Sequence, residues 1–395
     1  MNTNLSRRKR VAVIAYACDP GAGSEPGAGG RLAFEAVRLA SKAKTTCVIL
    51  TREKHVAALE AFIQTEGLEG SALVRAIPVG RALGGVLRDG SRGHSLAWQW
   101  AAYKELRKLC RGENLAVVHH VTFASDTLPS AVHLPGLAGA RRVWGPVGSS
   151  DVRLEFPTTR LHKLIARMKR IWFRFLAGRV HLVVAQTGHV AKRLQGVNVE
   201  VVVEQNCIVS DEILAGHARR DPERKKSRVA FVGVLTERKR PELAIEALRS
   251  SGGDTWDLVI IGDGPLRKSL EVDNHDLVLA GSLRFTGWLP HNEAQHEIAQ
   301  CAGVVHPSVR EGAPWAIAEA LAHGKWVVTV AGNGADYLVA LVPGGGVVVD
   351  DGGDIGRALG AAIEEIVNSG HQSTGTDRWN ASRFGALMND WYAMS

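Results

Sequence analysis

Short runs rich in Val, Ile and Leu recur along the sequence, and helical patterns separate them. In the first half the runs are Val11–Ala17, Thr46–Leu50, Leu73–Pro78, Val117–Val121, Arg142–Trp144 and Leu182–Ala185. In the second half they are Val229–Val232, Leu258–Ile261, Leu283–Thr286, Val304–His306 and Trp326–Thr329. Several are almost continuously apolar, which suits parallel strands covered on both faces rather than strands with one wet side. Strand and helix alternate throughout, so the chain reads as α/β, built from βαβ units. At 395 residues it is too long for one ordinary core and suits two domains. The polar stretch Ala215 to Ser227 is the natural boundary. It gives domains over 1–214 and 228–376, with a helical tail over 377–395 that offers Trp379, Phe384, Leu387 and Trp391 for burial.

Charge divides unevenly between the halves. Residues 1–205 carry 30 Lys and Arg against 15 Asp and Glu, while residues 206–395 carry 18 against 25. A basic first half points to an anionic partner on that side. The five cysteines, Cys18, Cys47, Cys110, Cys207 and Cys301, are scattered, with no metal-ligand spacing and no disulfide framework, as expected of reduced thiols in the cytoplasm. Arg7, Arg8, Lys9 and Arg10 precede the apolar run Val11 to Ala17, but that run is short and ends in Asp19-Pro20-Gly21. It reads as a first strand after a basic tail, not a leader. No stretch approaches the ~20 apolar residues of a spanning helix.

Three segments carry chemistry. Tyr16 to Gly30 is a Gly-rich turn opening onto a helix, where backbone N–H groups could approach an anion. Arg238, Lys239 and Arg240 follow the strand ending at Val232, at the end of a parallel strand where ligands bind in open α/β sheets. They could neutralise a diphosphate, or simply be a solvated charge run. His306-Pro307-Ser308-Val309-Arg310-Glu311-Gly312 leaves another strand and enters a helix containing Glu319. Glu319 sits among Ala316, Ile317, Ala318, Ala320 and Leu321, an apolar setting in which a solvated glutamate is unexpected.

These segments, with Gly262-Asp263-Gly264-Pro265-Leu266-Arg267 and Phe285-Thr286-Gly287-Trp288-Leu289 in the same order, resemble glycosyltransferase family 4. Gly23-Ser24-Glu25-Pro26-Gly27, His119-His120-Val121-Thr122 and Trp144-Gly145-Pro146-Val147-Gly148 extend the resemblance into the first half. It implies a GT-B fold, two Rossmann-like domains facing a central cleft, with a C-terminal helix crossing back to the first. It implies a retaining transferase that moves a hexose-type sugar from a nucleoside-diphosphate sugar to an acceptor hydroxyl, with no cofactor. Glu319 would bind the ribose hydroxyls. Glu311 would lie by the donor sugar, with Gly312 and Ala313 N–H groups near its hydroxyls or phosphates. Lys239 would bind the diphosphate, and Gly233, Leu289 and Pro314 would line the donor. Gly29 and Gly30 would form a loop under the phosphates and acceptor. His119 or His120 would approach the donor sugar, and His120 is favoured. The family has Arg after the glycine that here is Gly233; this chain has Val234, and Arg238 is the available substitute. The absence of any Asp-x-Asp motif suggests a metal-independent reaction in which cations and helix dipoles stabilise the leaving group. Two other readings fit the same architecture, a nucleotide-sugar epimerase and a non-catalytic nucleotide-sugar-binding protein.

Residues 160–179 form a basic segment with Leu161, Leu164, Ile165, Met168, Ile171, Trp172 and Phe175 at helical spacing. It reads either as a packing helix with snorkelling cations or as a helix lying on an anionic membrane surface. The second is slightly favoured by the basic first half. It would place the protein in the cytoplasm, peripheral to the inner face of the membrane, with a lipid-linked or polysaccharide acceptor, as in exopolysaccharide assembly. No nucleic-acid module is recognised.

Overall fold

The computed structural model describes residues 10–79, 87–112, 114–137, 139–148, 160–209, 226–252, 254–309 and 311–393. Residues 215–225 of the expected boundary and Arg7, Arg8 and Lys9 of the basic tail lie outside them. The chain forms two compact units, one of residues 1–208 and 384–395, the other of residues 209–383.

The first unit is built on a seven-stranded sheet. Its strands are β1 (Arg10–Ala15), β2 (Cys47–Thr51), β3 (Ala72–Ala76), β4 (Leu115–His120), β5 (Arg141–Val147), β6 (Leu182–Ala185) and β7 (Glu200–Val203). Their order is β3-β2-β1-β4-β5-β6-β7, and every pairing is parallel. The second unit holds β8 (Ser227–Val232), β9 (Trp256–Ile261), β10 (Leu283–Gly287), β11 (Gly303–His306), β12 (Trp326–Val330) and β13 (Gly346–Val349). They are ordered β10-β9-β8-β11-β12-β13, again all parallel. The strands β2, β11 and β12 are buried throughout, and β1 is buried after Arg10, as their largely apolar sequences require. Crossover helices cover the faces. The helix Pro241–Ser250 packs closely on the helix Ile355–Ser369 above the second sheet, with Ala247 and Leu248 meeting a core of Phe231, Trp256, Ile260 and Ile363.

Each sheet reverses its strand order at one place, between β1 and β4 in the first and between β8 and β11 in the second. In doubly wound sheets the carboxyl ends of the strands flanking such a reversal are where ligands bind. Both expected signals fall there: Lys239 follows β8 and Glu311 follows β11.

The helix Ala381–Tyr392 belongs mainly to the first unit. Phe384, Trp391 and Tyr392 are buried. The Tyr392 hydroxyl pairs with His119 Nδ1 at 2.9 Å, and Arg141 Nε donates to the Trp391 carbonyl at 2.7 Å. All five cysteines are free thiols, four of them buried. Among the described residues no helix is long and apolar enough to cross a membrane.

Candidate functional site

The site in the second unit grows from the two strand ends at its reversal. After β8 the chain turns through Gly233, whose φ is +150°, and the side chain of Lys239 folds back over that glycine, where a β-carbon would meet it at an ordinary contact distance of 3.4 Å. The Gly262-Asp263-Gly264-Pro265 segment after β9 buttresses this turn. Gly233 N–H donates to the Ile261 carbonyl, Leu235 N–H to that of Asp263, and Leu266 N–H to that of Leu235. This segment, one of several that carry the family resemblance, is therefore structural support for the Lys239 loop.

After β11 the chain makes the turn that carries Glu311. Lys239 Nζ lies 2.6 Å from Glu311 Oε1, and Arg238 donates to the same oxygen at 2.5 Å. Ser308 Oγ lies 2.9 Å from it. Lys239 and Glu311 are nearly out of water, at 13% and 14% side-chain exposure, whereas Arg238 is 56% exposed. Burial alone would raise the Glu311 carboxyl, but Lys239 and then Arg238 hold it below its ordinary value, so it is ionised. Burial lowers the Lys239 ammonium, and Glu311 partly offsets this. His306, fully buried beneath the pair, is pushed down to about 3, first by burial and then by the charge of Lys239, so it is neutral. The third cation of the run takes no part: Arg240 turns away to Asp351 at 3.0 Å and precedes the next helix in a left-handed conformation.

One buried amide fixes the Glu311 turn. Asn333 Nδ2 donates to the carbonyls of Ser308 and His306 at 3.0 and 3.3 Å, and Glu311 N–H donates to the Asn333 carbonyl at 2.7 Å. Thr329 Oγ1 donates to the His306 carbonyl at 2.8 Å. Gly334 lets the loops after β11 and β12 approach: its φ is +86°, and a β-carbon there would stand 2.1 Å from the Glu311 carbonyl oxygen. Sequence reading missed Asn333; the Gly332-Asn333-Gly334 triplet after β12 was its available signal.

The helix Trp315–Ala322 starts after Pro314 and is apolar on nearly every side, so it is buried and draws Glu319 inward to 4% exposure. His291 Nε2 lies 3.4 Å from Glu319 Oε1, and the His291 ring meets Trp315 edge to face. His291 was also missed by sequence reading. Gly312 is exposed and Ala313 half-buried at the approach to this helix. Leu289 is half-buried after β10 beside the exposed Trp288, and its place by a donor stands on the resemblance alone. Val234 is 58% exposed.

The first unit differs. Gly29 and Gly30 do not form a loop, which corrects the sequence expectation: both lie inside the helix Ser24–Lys42, which begins sooner than the glycine-rich sequence suggested. They are buried because that helix presses onto the turn after β1; β-carbons there would stand 1.9 Å from the Ala17 carbonyl oxygen and 2.3 Å from the Pro20 nitrogen. Both histidines at the end of β4 are buried. His119 has its two ring nitrogens against Tyr392 and the Gly145 carbonyl, and burial takes its pKa down to about 4. His120 Nε2 lies 3.0 Å from Gln99 Nε2, and burial takes it down to about 3. Glu25, at the start of the helix, accepts from the Phe123 N–H at 2.6 Å and from Asn206 at 3.2 Å. Among the described residues no group of three His, Cys, Asp or Glu side chains is placed to hold a metal ion.

Residues 217–375 match the family of group 1 glycosyl transferases, a match that covers most of the second unit. No curated protein matches the chain. Among solved structures, it is similar over 98% of its length to all of a sucrose-phosphate synthase from Thermosynechococcus elongatus, at 15% identity and TM-score 0.65. It is similar over 98% to all of HepE from Anabaena in complex with UDP, at 16% identity and TM-score 0.62. It is also similar over 98% to 95% of WaaG, a glycosyltransferase involved in lipopolysaccharide biosynthesis, at 15% identity and TM-score 0.59. The fold is GT-B. At such identities the likeness of the whole chain is one of fold, while the match over 217–375 falls on the unit that carries Lys239, Glu311 and Glu319.

Proposed function

We propose that the protein is a nucleotide-sugar-dependent glycosyltransferase that moves a hexose-type sugar, with retention, to an acceptor hydroxyl. The observation that carries this reading is the Lys239–Arg238–Glu311 cluster at the reversal of the second sheet. Two cations held around one carboxylate form a site that can exchange that carboxylate for diphosphate oxygens without rebuilding the backbone. Lys239 and Arg238 neutralise the leaving diphosphate. Glu311, released from them, turns to the donor sugar, with the N–H groups of Gly312 and Ala313 beside it. Glu319, buried and ionisable on the next helix, takes the ribose hydroxyls. The first unit holds the acceptor, with His120 the residue that approaches the sugar. With these cations present and no Asp-x-Asp motif in the sequence, the reaction proceeds without a metal, and the departing phosphate helps to deprotonate the acceptor. The acceptor is a lipid-linked or polysaccharide intermediate, and the enzyme works in the cytoplasm. A solved neighbour, HepE, binds UDP and glucose, which supports a nucleoside-diphosphate sugar as donor.

The test is turnover of labelled UDP-, GDP- and ADP-sugars with a membrane-lipid extract as acceptor, in EDTA. Free nucleoside diphosphate should appear in step with a labelled glycan of unchanged anomeric configuration by NMR. An isomerised nucleotide sugar with no diphosphate released would identify an epimerase instead. Donor binding without release, across all acceptors, would identify a binding protein.

A further inference from the structure

The helix Arg160–Ala177 has three faces. Phe173, Leu176 and Ala177 are buried in the first unit, and Arg174 anchors the helix by donating to the carbonyls of Gln195 and Arg193 at 2.7 and 3.2 Å. Away from that face runs a stripe of Leu161, Leu164, Met168, Ile171, Trp172 and Phe175, at spacings that bring them onto one side of a helix. All six are between 39% and 63% exposed. A stripe of this kind on one helix is far from the scattered apolar residues of an ordinary surface. The aromatic end is ordered by its own contacts: Trp172 Nε1 donates to the Thr127 carbonyl at 3.0 Å, Trp172 stacks on Phe175, and Arg179 lies 4.3 Å from the Phe175 ring centre.

The third face is cationic. Arg160, Lys163, Arg167 and Arg170 are exposed on the flank next to the apolar stripe, and the helix contains no Asp or Glu. Exposure of the stripe removes the packing-helix reading for that face. The charge decides what covers it. A second copy docked symmetrically on the stripe would bring two rows of like charge together, which opposes association. A bilayer with anionic headgroups accepts the apolar stripe at its acyl boundary, while the flanking cations reach the phosphates. We propose that this helix is a docking surface for anionic phospholipid membranes. The proposal stands on the helix alone and is independent of the donor chemistry.

The experiment is co-sedimentation of the full chain with phosphatidylcholine vesicles, with and without phosphatidylglycerol. Binding should require phosphatidylglycerol and weaken in high salt. The variant Leu164→Ser/Ile171→Ser should lose at least about tenfold in vesicle partition, through lost apolar contact. Lys163→Glu/Arg167→Glu/Arg170→Glu should abolish binding. Both variants should keep the wild-type circular dichroism and melting temperature, because the altered side chains are outside the core. No binding to anionic vesicles, or binding that these substitutions leave unchanged, would overturn the proposal. So would a dimer in analytical ultracentrifugation that Leu164→Ser/Ile171→Ser dissociates while vesicles go unbound.

Discussion

The two sheets share the order 3-2-1-4-5-6 over their first six strands, yet the chain ends them differently where that order reverses. In the second unit, β8 and β11 run out into a charged cluster, with Lys239 and Arg238 around Glu311. In the first unit, β4 ends in two buried neutral histidines, and β1 runs into a turn pressed beneath a glycine-bearing helix. A doubly wound sheet provides the place for a ligand, but the residues at the strand ends decide which chemistry occupies it. A buried lysine beside a carboxylate, with a more exposed arginine next to it, suits a donor diphosphate. Neutral, buried groups suit a rigid wall for a sugar acceptor.

The comparison breaks first at Lys239. Lys239→Met should cost about 3 kcal/mol of stability, because it leaves Glu311 buried with only the more exposed Arg238 as a charged partner. It should also weaken nucleotide-sugar binding by about 100-fold, measured by titration calorimetry. Unchanged affinity would move the diphosphate away from this loop. In the first unit, His119→Phe should destabilise the protein by about 1–3 kcal/mol for each partner left unsatisfied, the Tyr392 hydroxyl and the Gly145 carbonyl. Donor affinity should not change; a parallel loss of affinity would make this histidine part of the donor site.

Acid sharpens the contrast. Burial holds His119 down to about 4, and His120, His133 and His306 down to about 3. A histidine depressed on folding adds stability that is fully present above its unfolded value near 6.5 and is lost as pH falls towards the folded value. Three of the four lie in the first unit, so hydrogen exchange between pH 7 and pH 4, corrected for intrinsic rates, should show β4 and β5 losing protection before β11 and β12. Equal loss in both would contradict this. The smallest effect expected is a gain: Val234→Arg, at an exposed site beside the Lys239 loop, should tighten donor binding by about 0.5–1 kcal/mol without lowering the melting temperature.

Much of this was legible because parallel strands buried on both faces announce themselves as unbroken apolar runs. The two strands missed, β7 and β13, are edge strands that alternate partly with solvent, and β13 follows a run of glycines that resembles a turn. Glu319 stood out because a glutamate among apolar helix residues is unusual, while Lys239 and Glu311 were legible as charge just past strand ends and through the family resemblance. Asn333 and His291 did not, because they reach the site from distant segments and only the packed sheet brings them to it. Gly29 and Gly30 were misread for a related reason: glycine marks close backbone approach as readily as it marks a loop, and sequence alone does not show which. The basic helix left two readings open, and the difference lay in which face the core would claim.

The central claim, that Glu319 and the Lys239 loop together grip a nucleoside-diphosphate sugar, is tested most directly by thermal shift of the wild type and Glu319→Ala with UDP-, GDP- and ADP-sugars, in EDTA. One nucleotide class should stabilise the wild type, and loss of Glu319 should weaken that binding by about 1.5–3 kcal/mol. Stabilisation that Glu319→Ala retains in full, or that disappears whenever EDTA is present, would contradict it.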